Sequence, residues 1–155
     1  MMQSAYCMMS SPVGMLRICE DGSGICELSF CRSGEVQKPH TPLLYCAQQE
    51  LEAYFAGELR TFSVPVSMHG TAFQKQVWQA LRTIPFGETR TYGQIAAQIG
   101  SPAACRAVGM ANRCNPIAII IPCHRVIGSN GSLTGYAGGL DIKRALLSLE
   151  GILCR

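Results

Sequence analysis

Cys123 and His124 are adjacent, and Glu150 lies near the end of the chain. A thiol beside an imidazole is the pattern of an activated nucleophile. A free thiol has a pKa of about 8.5, and burial next to isoleucines raises it further, so some base must take its proton. His124 is the only candidate close by in sequence. An imidazole used as a base is normally oriented by a third group, and Glu150 is placed to serve. It falls in the last turn of a predicted final helix, where the helix dipole disfavours a carboxylate by about 0.3–1 kcal/mol. That cost calls for a compensating partner. The alternative is a solvated glutamate.

The thiol itself has two readings. Cysteine is among the most buried residue types, and Cys123 follows the apolar run Ile117 to Ile121, so it fits a core position. Against this, His124 is next to it, and Gly128, Gly131, Gly135, Gly138 and Gly139 begin a flexible loop where a buried strand would turn into solvent. There is a geometric catch. Neighbouring side chains on an extended strand point to opposite faces, so contact between Cys123 and His124 needs a bend at Pro122-Cys123 or a bridging water.

The elements that must position these groups follow from periodicity and punctuation. Strands are expected near 4–9, 15–19 and 25–31, separated by Ser10 to Gly14 and Glu20 to Gly24. A helix should follow, with Thr41 as N-cap, Pro42 at its first position, Leu44, Gln48, Leu51 and Phe55 on one face, and Gly57 at its end. Ser63 to Gly70 reads as a connector. Thr71 and Gln74 form a capping box for a helix whose apolar positions are Phe73, Val77, Ala80, Leu81 and Ile84, stopped by Pro85-Phe86-Gly87. Thr91 and Gln94 form a second box for a helix through Ile99, closed by Gly100. Ser101 can cap the next helix, with Pro102 at its first position, over about Ala103 to Asn112. In the final helix Asp141 caps, and Ile142, Ala145, Leu146 and Leu149 face inward, with Gly151 ending it. The reading is an α/β domain over 1–66 and a mostly α domain over 71–155.

Two short helices joined by a glycine-containing turn make a helix-turn-helix candidate. On its second helix Arg106 and Arg113 sit among Ala103, Ala104, Ala107, Gly109 and Ala111. Small side chains let a helix approach a groove closely, and they equally permit tight helix packing. Charge is divided to match. Residues 1–70 hold 4 Lys/Arg against 7 Asp/Glu, a balance of −3, and residues 71–155 hold 9 against 3, a balance of +6, which sum to the chain's +3. A basic second half suits a polyanion, and ordinary surface charge would look the same. Ten of the thirteen basic residues are arginines, which suit bidentate phosphate contacts.

Nine cysteines, an odd number, sit in a chain whose first residues carry no basic-then-apolar leader pattern, and no apolar run approaches the ~20 residues of a membrane span. A cytosolic protein with free thiols is expected. No C-x-x-C pair occurs and the histidines are scattered, so no metal is expected. Cys7, Cys19, Cys26 and Cys31 read as small core or strand residues.

The string P-C-H-R-V at 122–126 in this setting resembles the active site of the O6-alkylguanine-DNA alkyltransferases. T-Y-G-Q-I-A at 91–96, R-A-V-G at 106–109, N-P at 115–116 and G-Y-A-G-G at 135–139 also resemble family motifs, in family order. The resemblance covers most of 71–155 and is compatible over 1–70. It implies a ribonuclease H-like N-terminal domain (a small antiparallel sheet plus helix) and a helix-turn-helix C-terminal domain. It further implies one irreversible transfer of an alkyl group from O6 of guanine, and from O4 of thymine, in double-stranded DNA to Cys123. In that scheme His124 is base through a water, held by Glu150, and Asn115 shapes the turn before the active-site strand. Tyr92 helps rotate the nucleotide out and neutralises the departing guanine. Leu133, Tyr136, Ala137 and Gly138 surround the base, the Ala137 N–H facing O6. Arg106 fills the vacated stack, Gly109 allows close approach, and Thr91 and Ala104 complete the DNA contacts, on the minor-groove side. The scheme needs no cofactor and no membrane, and works as a monomer, with cooperativity on DNA left open.

Two other classes fit some of these residues. A cysteine hydrolase would use Cys123, His124 and Glu150 but needs an oxyanion hole, and its histidine is usually remote in sequence. A non-repairing helix-turn-helix lesion sensor would need no thiol, and here Cys123 is present.

Overall fold

The structure is a computed structural model that describes residues 4–153. It divides into two compact units, Met1–His69 and Gly70–Arg155. Among the described residues no helix is long and apolar enough to cross a membrane, and every cysteine is a free thiol.

The first unit is a three-stranded antiparallel sheet in the order β1 (Ala5–Ser11), β2 (Gly14–Glu20), β3 (Ile25–Cys31), covered by α1 (Pro42–Phe55). Ser11 pairs with Gly14, which leaves a two-residue hairpin turn, and Gly14 takes φ 107°, a conformation that favours glycine. Alternation puts Cys7, Met9, Leu16, Ile18 and Leu28 in the core. The Thr41 side chain accepts from the Leu44 N–H and also donates to Glu20 at 2.6 Å, so the cap fastens α1 to the end of β2. The buried face of α1 differs from expectation. It is Leu44, Ala47, Leu51 and Tyr54, while Gln48 and Phe55 lie at its edges. The i, i+3, i+7 spacing from Leu44 selects Ala47, a small residue that the apolar pattern passed over.

The second unit is helical. α2 (Ala72–Leu81) and α3 (Tyr92–Gln98) each begin with a complete capping box, as expected. Val77, Trp78, Ala80 and Leu81 of α2 are buried, and the Trp78 indole N–H donates to the Ala111 carbonyl at 2.8 Å. α3 and α4 (Cys105–Arg113) pack on each other, joined through Gly100 at φ 81°. α4 starts later than expected. Ser101 does not cap it, because the Ala104 N–H donates to the Ser101 carbonyl and closes a separate turn over Pro102-Ala103, leaving Ala104 as N-cap without a side-chain bond.

Two further expectations change. Ile117 to Ile121 is not a strand. It is a run of tight turns, with Ile121 N–H donating to Ile117 and Ile119 at φ 69°, a rare conformation for a β-branched residue. Asn115 clamps both ends of that run: its Oδ1 accepts from Ile117 N–H at 3.0 Å and its Nδ2 donates to the Ile121 carbonyl at 2.9 Å. In the last helix, α5 (Leu140–Leu149), Asp141 does not cap; Gly139 at φ 99° precedes the helix and Asp141 is exposed in its first turn. The inward residues are Lys143, Leu146 and Leu147, with Ala145 exposed. A two-stranded parallel pair, β4 (Arg90–Thr91) with β5 (Val126–Ile127), was not foreseen, since two residues per strand leave no periodicity.

Candidate active site

Cys123, His124 and Arg125 form a single 3₁₀ turn between the Ile-rich turns and β5. The turn supplies the bend that an extended strand would have denied. Cys123 N–H donates to the Ile121 carbonyl and Arg125 N–H to that of Pro122. All three side chains are buried.

Glu150, the C-cap of α5, answers the dipole problem with three donors. His124 Nε2 lies 2.6 Å from Oε2, Arg125 Nε donates to Oε1 at 2.8 Å, and Arg125 Nη2 donates to Oε2 at 3.1 Å. The Gly87 N–H adds a longer bond of 3.3 Å. The solvated alternative is therefore excluded, since the Glu150 side chain is 0% exposed. Arg125 anchors the group further by donating from Nη1 to the Ile84 carbonyl at 2.7 Å. A carboxylate gripped by a guanidinium stays ionised. Nε2, facing it, must then carry the imidazole proton, which leaves Nδ1 as a bare acceptor. Nδ1 is buried and has no hydrogen-bond partner among the described residues. Burial pushes the His124 pKa below the ordinary imidazole range, outweighing the pull of Glu150. His124 is thus held neutral, in the tautomer a base requires.

Burial also raises the pKa of the Cys123 thiol. Opposing it are a side-chain hydrogen bond from Asn115, the charge of Lys143, and a side-chain hydrogen bond from Tyr136. These influences come from three separate segments: an amide before the turns, an ammonium on α5, and a phenol in the glycine-rich loop. Asn112 Nδ2 sits 3.4 Å from the Cys123 carbonyl.

The remaining expected residues fall into two groups. Tyr92 opens α3, and its hydroxyl lies 2.9 Å from Thr134 Oγ1 in the glycine-rich loop. Gly109 faces the Tyr92 ring, and a Cβ there would meet the ring at 3.9 Å, an ordinary contact. Arg106 is exposed on the first turn of α4, Ala104 is its N-cap, and the Thr91 side chain is occupied by the α3 capping box. Ala137 is exposed and Gly138 half-buried beside Tyr136. Leu133 lines a cavity of about 490 Å³ with Ile127, Leu147 and Ile152, and that cavity does not include Cys123, His124 or Tyr136. The structure thus brings His124 and Glu150 into contact and sets Asn115 and Tyr136 by the Cys123 thiol, while Leu133 lines the cavity with Ile127, Leu147 and Ile152.

Sequence reasoning singled out Arg125 within P-C-H-R-V but gave it no role, and it passed over Lys143 and Asn112. For Lys143 a signal existed: Lys143, Leu146, Leu147 and Glu150 follow i, i+3, i+4, i+7 spacing, a helix face with a charge at each end. For Asn112, and for the pairing that Arg125 makes, no such signal existed.

Family models match almost the whole chain: the ribonuclease-like domain of 6-O-methylguanine DNA methyltransferase over residues 5–68 and its DNA binding domain over residues 72–152. The chain belongs to the 6-O-methylguanine DNA methyltransferase family. A methylated-DNA--protein-cysteine methyltransferase of Methanosarcina acetivorans is 53% identical over 152 residues, covering 94% of this chain and 97% of the relative. The crystal structure of the Mycobacterium tuberculosis O6-methylguanine methyltransferase superimposes with a TM-score of 0.86 at 50% identity, covering 96% of this chain and 93% of that one. The Mycobacterium tuberculosis OGT in complex with DNA superimposes with a TM-score of 0.85 at 52% identity, covering 92% and 90%. The methyltransferase family's two-part organisation, a small sheet unit and a helical unit with a helix-turn-helix, is the organisation seen here.

Proposed function

We propose that this chain repairs alkylated double-stranded DNA by taking the alkyl group from O6 of guanine onto Cys123, once per molecule. The observation that carries the reading is the buried thiol in one turn with a buried histidine whose Nε2 lies 2.6 Å from a buried carboxylate. In the step, the Cys123 S–H proton passes to His124 Nδ1 through a water. The sulfur attacks the alkyl carbon and an S–C bond forms. The C–O6 bond breaks, its electron pair returns to the guanine, and a proton completes the ring nitrogen, delivered by Tyr92, which is reprotonated through solvent as the His124 imidazolium gives up the thiol's proton. The net change is one thioether and one restored guanine. A thioether is a poor leaving group, so the protein is spent.

A thiol this deeply buried cannot meet a base within a duplex, so the nucleotide is extruded. Arg106, exposed on α4, is suited to fill the gap, and unstacking costs a few kcal/mol that phosphate contacts offset. Tyr136, Ala137 and Gly138 close on the flipped base, with the Ala137 N–H on O6. O4-alkylthymine is accepted by the same chemistry. A reducing compartment, the cytosol, suits the free thiols.

The test is intact mass and peptide mapping after incubation with a duplex carrying O6-methylguanine. One methyl on Cys123 together with restored guanine is expected. An unmodified protein that still binds the lesion would instead identify a sensor, and multiple turnover on an ester would identify a hydrolase.

A further inference from the structure

Asn112 has no part in the steps above, yet it is buried on the inward face of α4 beside Val108 and Ala111. An amide among apolar neighbours is costly unless its polar atoms are used. One of them is used: Nδ2 lies 3.4 Å from the Cys123 carbonyl. A carbonyl only accepts, so the amide nitrogen must face it, and Oδ1 is turned to the other side. That oxygen is buried and has no hydrogen-bond partner among the described residues, and the same is true of His124 Nδ1. Asn112 therefore lies against the peptide unit that joins the thiol's residue to the base. It brings there a second buried acceptor that no described donor meets.

Two acceptors cannot satisfy each other. They need a donor with two hydrogens, and a water has two. We infer that Asn112 is a positioning residue that holds the relay water, which accepts the Cys123 S–H and donates to both His124 Nδ1 and Asn112 Oδ1. The inference rests on the reading of Cys123 as the alkyl acceptor and His124 as its base. Three hydrogen bonds are the usual complement of a buried water. In the step, the thiol proton passes to the water oxygen, and the water's proton facing Nδ1 passes to the imidazole. The water is restored, a thiolate and an imidazolium remain, and Asn112 neither gains nor loses a proton. Its oxygen engages one hydrogen of the water so that the other is aimed at Nδ1.

The charged and titratable groups around the thiol are His124 and Arg125 of its own turn, Lys143 and Glu150 of α5, and Tyr136 of the loop. On the neighbouring α2 and α4, Lys75, Cys105, Arg106 and Arg113 are exposed. Asn112 is uncharged, so replacing it by another uncharged residue leaves all of these charges in place. A changed pH profile then reports the water and not a lost charge.

The test uses the whole protein with Asn112→Leu, of similar size but without donor or acceptor, and Asn112→Ser, which keeps an acceptor oxygen. Iodoacetamide alkylation of Cys123 is followed by peptide mapping between about pH 6 and about pH 10, and methyl transfer from an O6-methylguanine duplex is timed beside it. Asn112→Leu should raise the pH midpoint of Cys123 alkylation by about one unit, which is about tenfold slower alkylation at about pH 7.5. Its circular dichroism should match the wild type. Asn112→Ser should recover alkylation to within about threefold of the wild-type rate, because its hydroxyl can still accept from the water. A folded Asn112→Leu with the wild-type midpoint overturns the inference. A crystal structure of the wild-type protein tests it without any variant: one water should lie within about 3.2 Å of both Asn112 Oδ1 and His124 Nδ1. No water there, or a separate water on each acceptor, overturns the inference even if Asn112→Leu fails to fold. Because iodoacetamide needs no DNA, the two readings fail separately. A shifted midpoint in a protein that never accepts methyl from DNA would sink the proposed function and leave the Asn112 effect standing.

Discussion

Both units of this protein hold buried thiols and a histidine against a carboxylate, and only one assembles them. In the sheet unit, Cys7 and Cys19 are buried in strands, and burial pushes their thiols to about 11 and about 12. Cys19 also faces Glu27, an anion that opposes a thiolate. The His69–Asp21 contact, at 2.7 Å, sits at a turn, with His69 largely exposed. There Asp21 accepts from the Ser23 and Gly24 N–H groups and from the Ser67 hydroxyl, which fastens a loop. In the helical unit, burial raises the Cys123 thiol too, but Cys123 and His124 share one turn, the carboxylate is buried, and Asn115, Lys143 and Tyr136 pull against the effect of burial. The same residue types give a staple in one place and the proposed nucleophile in the other. The difference is which partners converge.

The sharpest way to break this comparison is Cys123→Ala. Methyl transfer should fall from one per chain to none by intact mass, while binding of the lesion duplex persists. Transfer surviving on Cys7 or Cys19 would erase the distinction between the units.

Next in size is Glu150→Gln. It leaves the buried Arg125 without its anion, a loss of about 3 kcal/mol in chemical denaturation. The rate of Cys123 methylation should drop as well, because nothing then fixes the His124 tautomer. Wild-type rates in a folded Glu150→Gln protein would remove Glu150 from the mechanism.

Acid should separate the units. His124 has its pKa lowered in the fold, so its neutral form stabilises the helical unit above about pH 6.5, its unfolded value. That contribution is lost as pH falls below 6.5 toward the folded value, because the unfolded chain then binds the proton that the fold refuses. The Asp21 carboxyl is also lowered, by Ser67 first and then His69, and its contribution persists until pH drops below its ordinary value of 3.8. Amide hydrogen exchange across a pH series should show protection of α5 and the Cys123 turn declining between pH 6 and pH 4, with the sheet following only below about pH 4. Simultaneous loss would contradict this order.

The smallest effect is expected for Asp21→Asn. It should cost about 1–2 kcal/mol through weakened turn hydrogen bonds and leave the methylation rate unchanged. A slowed rate would tie the sheet unit's histidine contact to the chemistry.

The sequence alone determined the elements whose signals are local. Three strands bounded by turn residues, two capping boxes, the helix pair around Gly100 and the identity of Cys123 and His124 were all legible, because caps, glycine turns and periodicity act over a few residues. Reading failed where a competing bond, near in the chain or far from it, overrides local preference. Ile117 to Ile121 has strand propensity but is folded into turns by the Asn115 side chain, and the cap assigned to Ser101 yields to a backbone bond. Arg125 and Lys143 look like surface residues by type, and become buried only because Glu150 and two backbone carbonyls wait for them. Whether Glu150 was solvated or paired could not be decided from its own helix. The tertiary structure decided it by bringing residues from separate segments to one carboxylate, since the energy of a buried charge depends on partners that neighbouring residues do not specify.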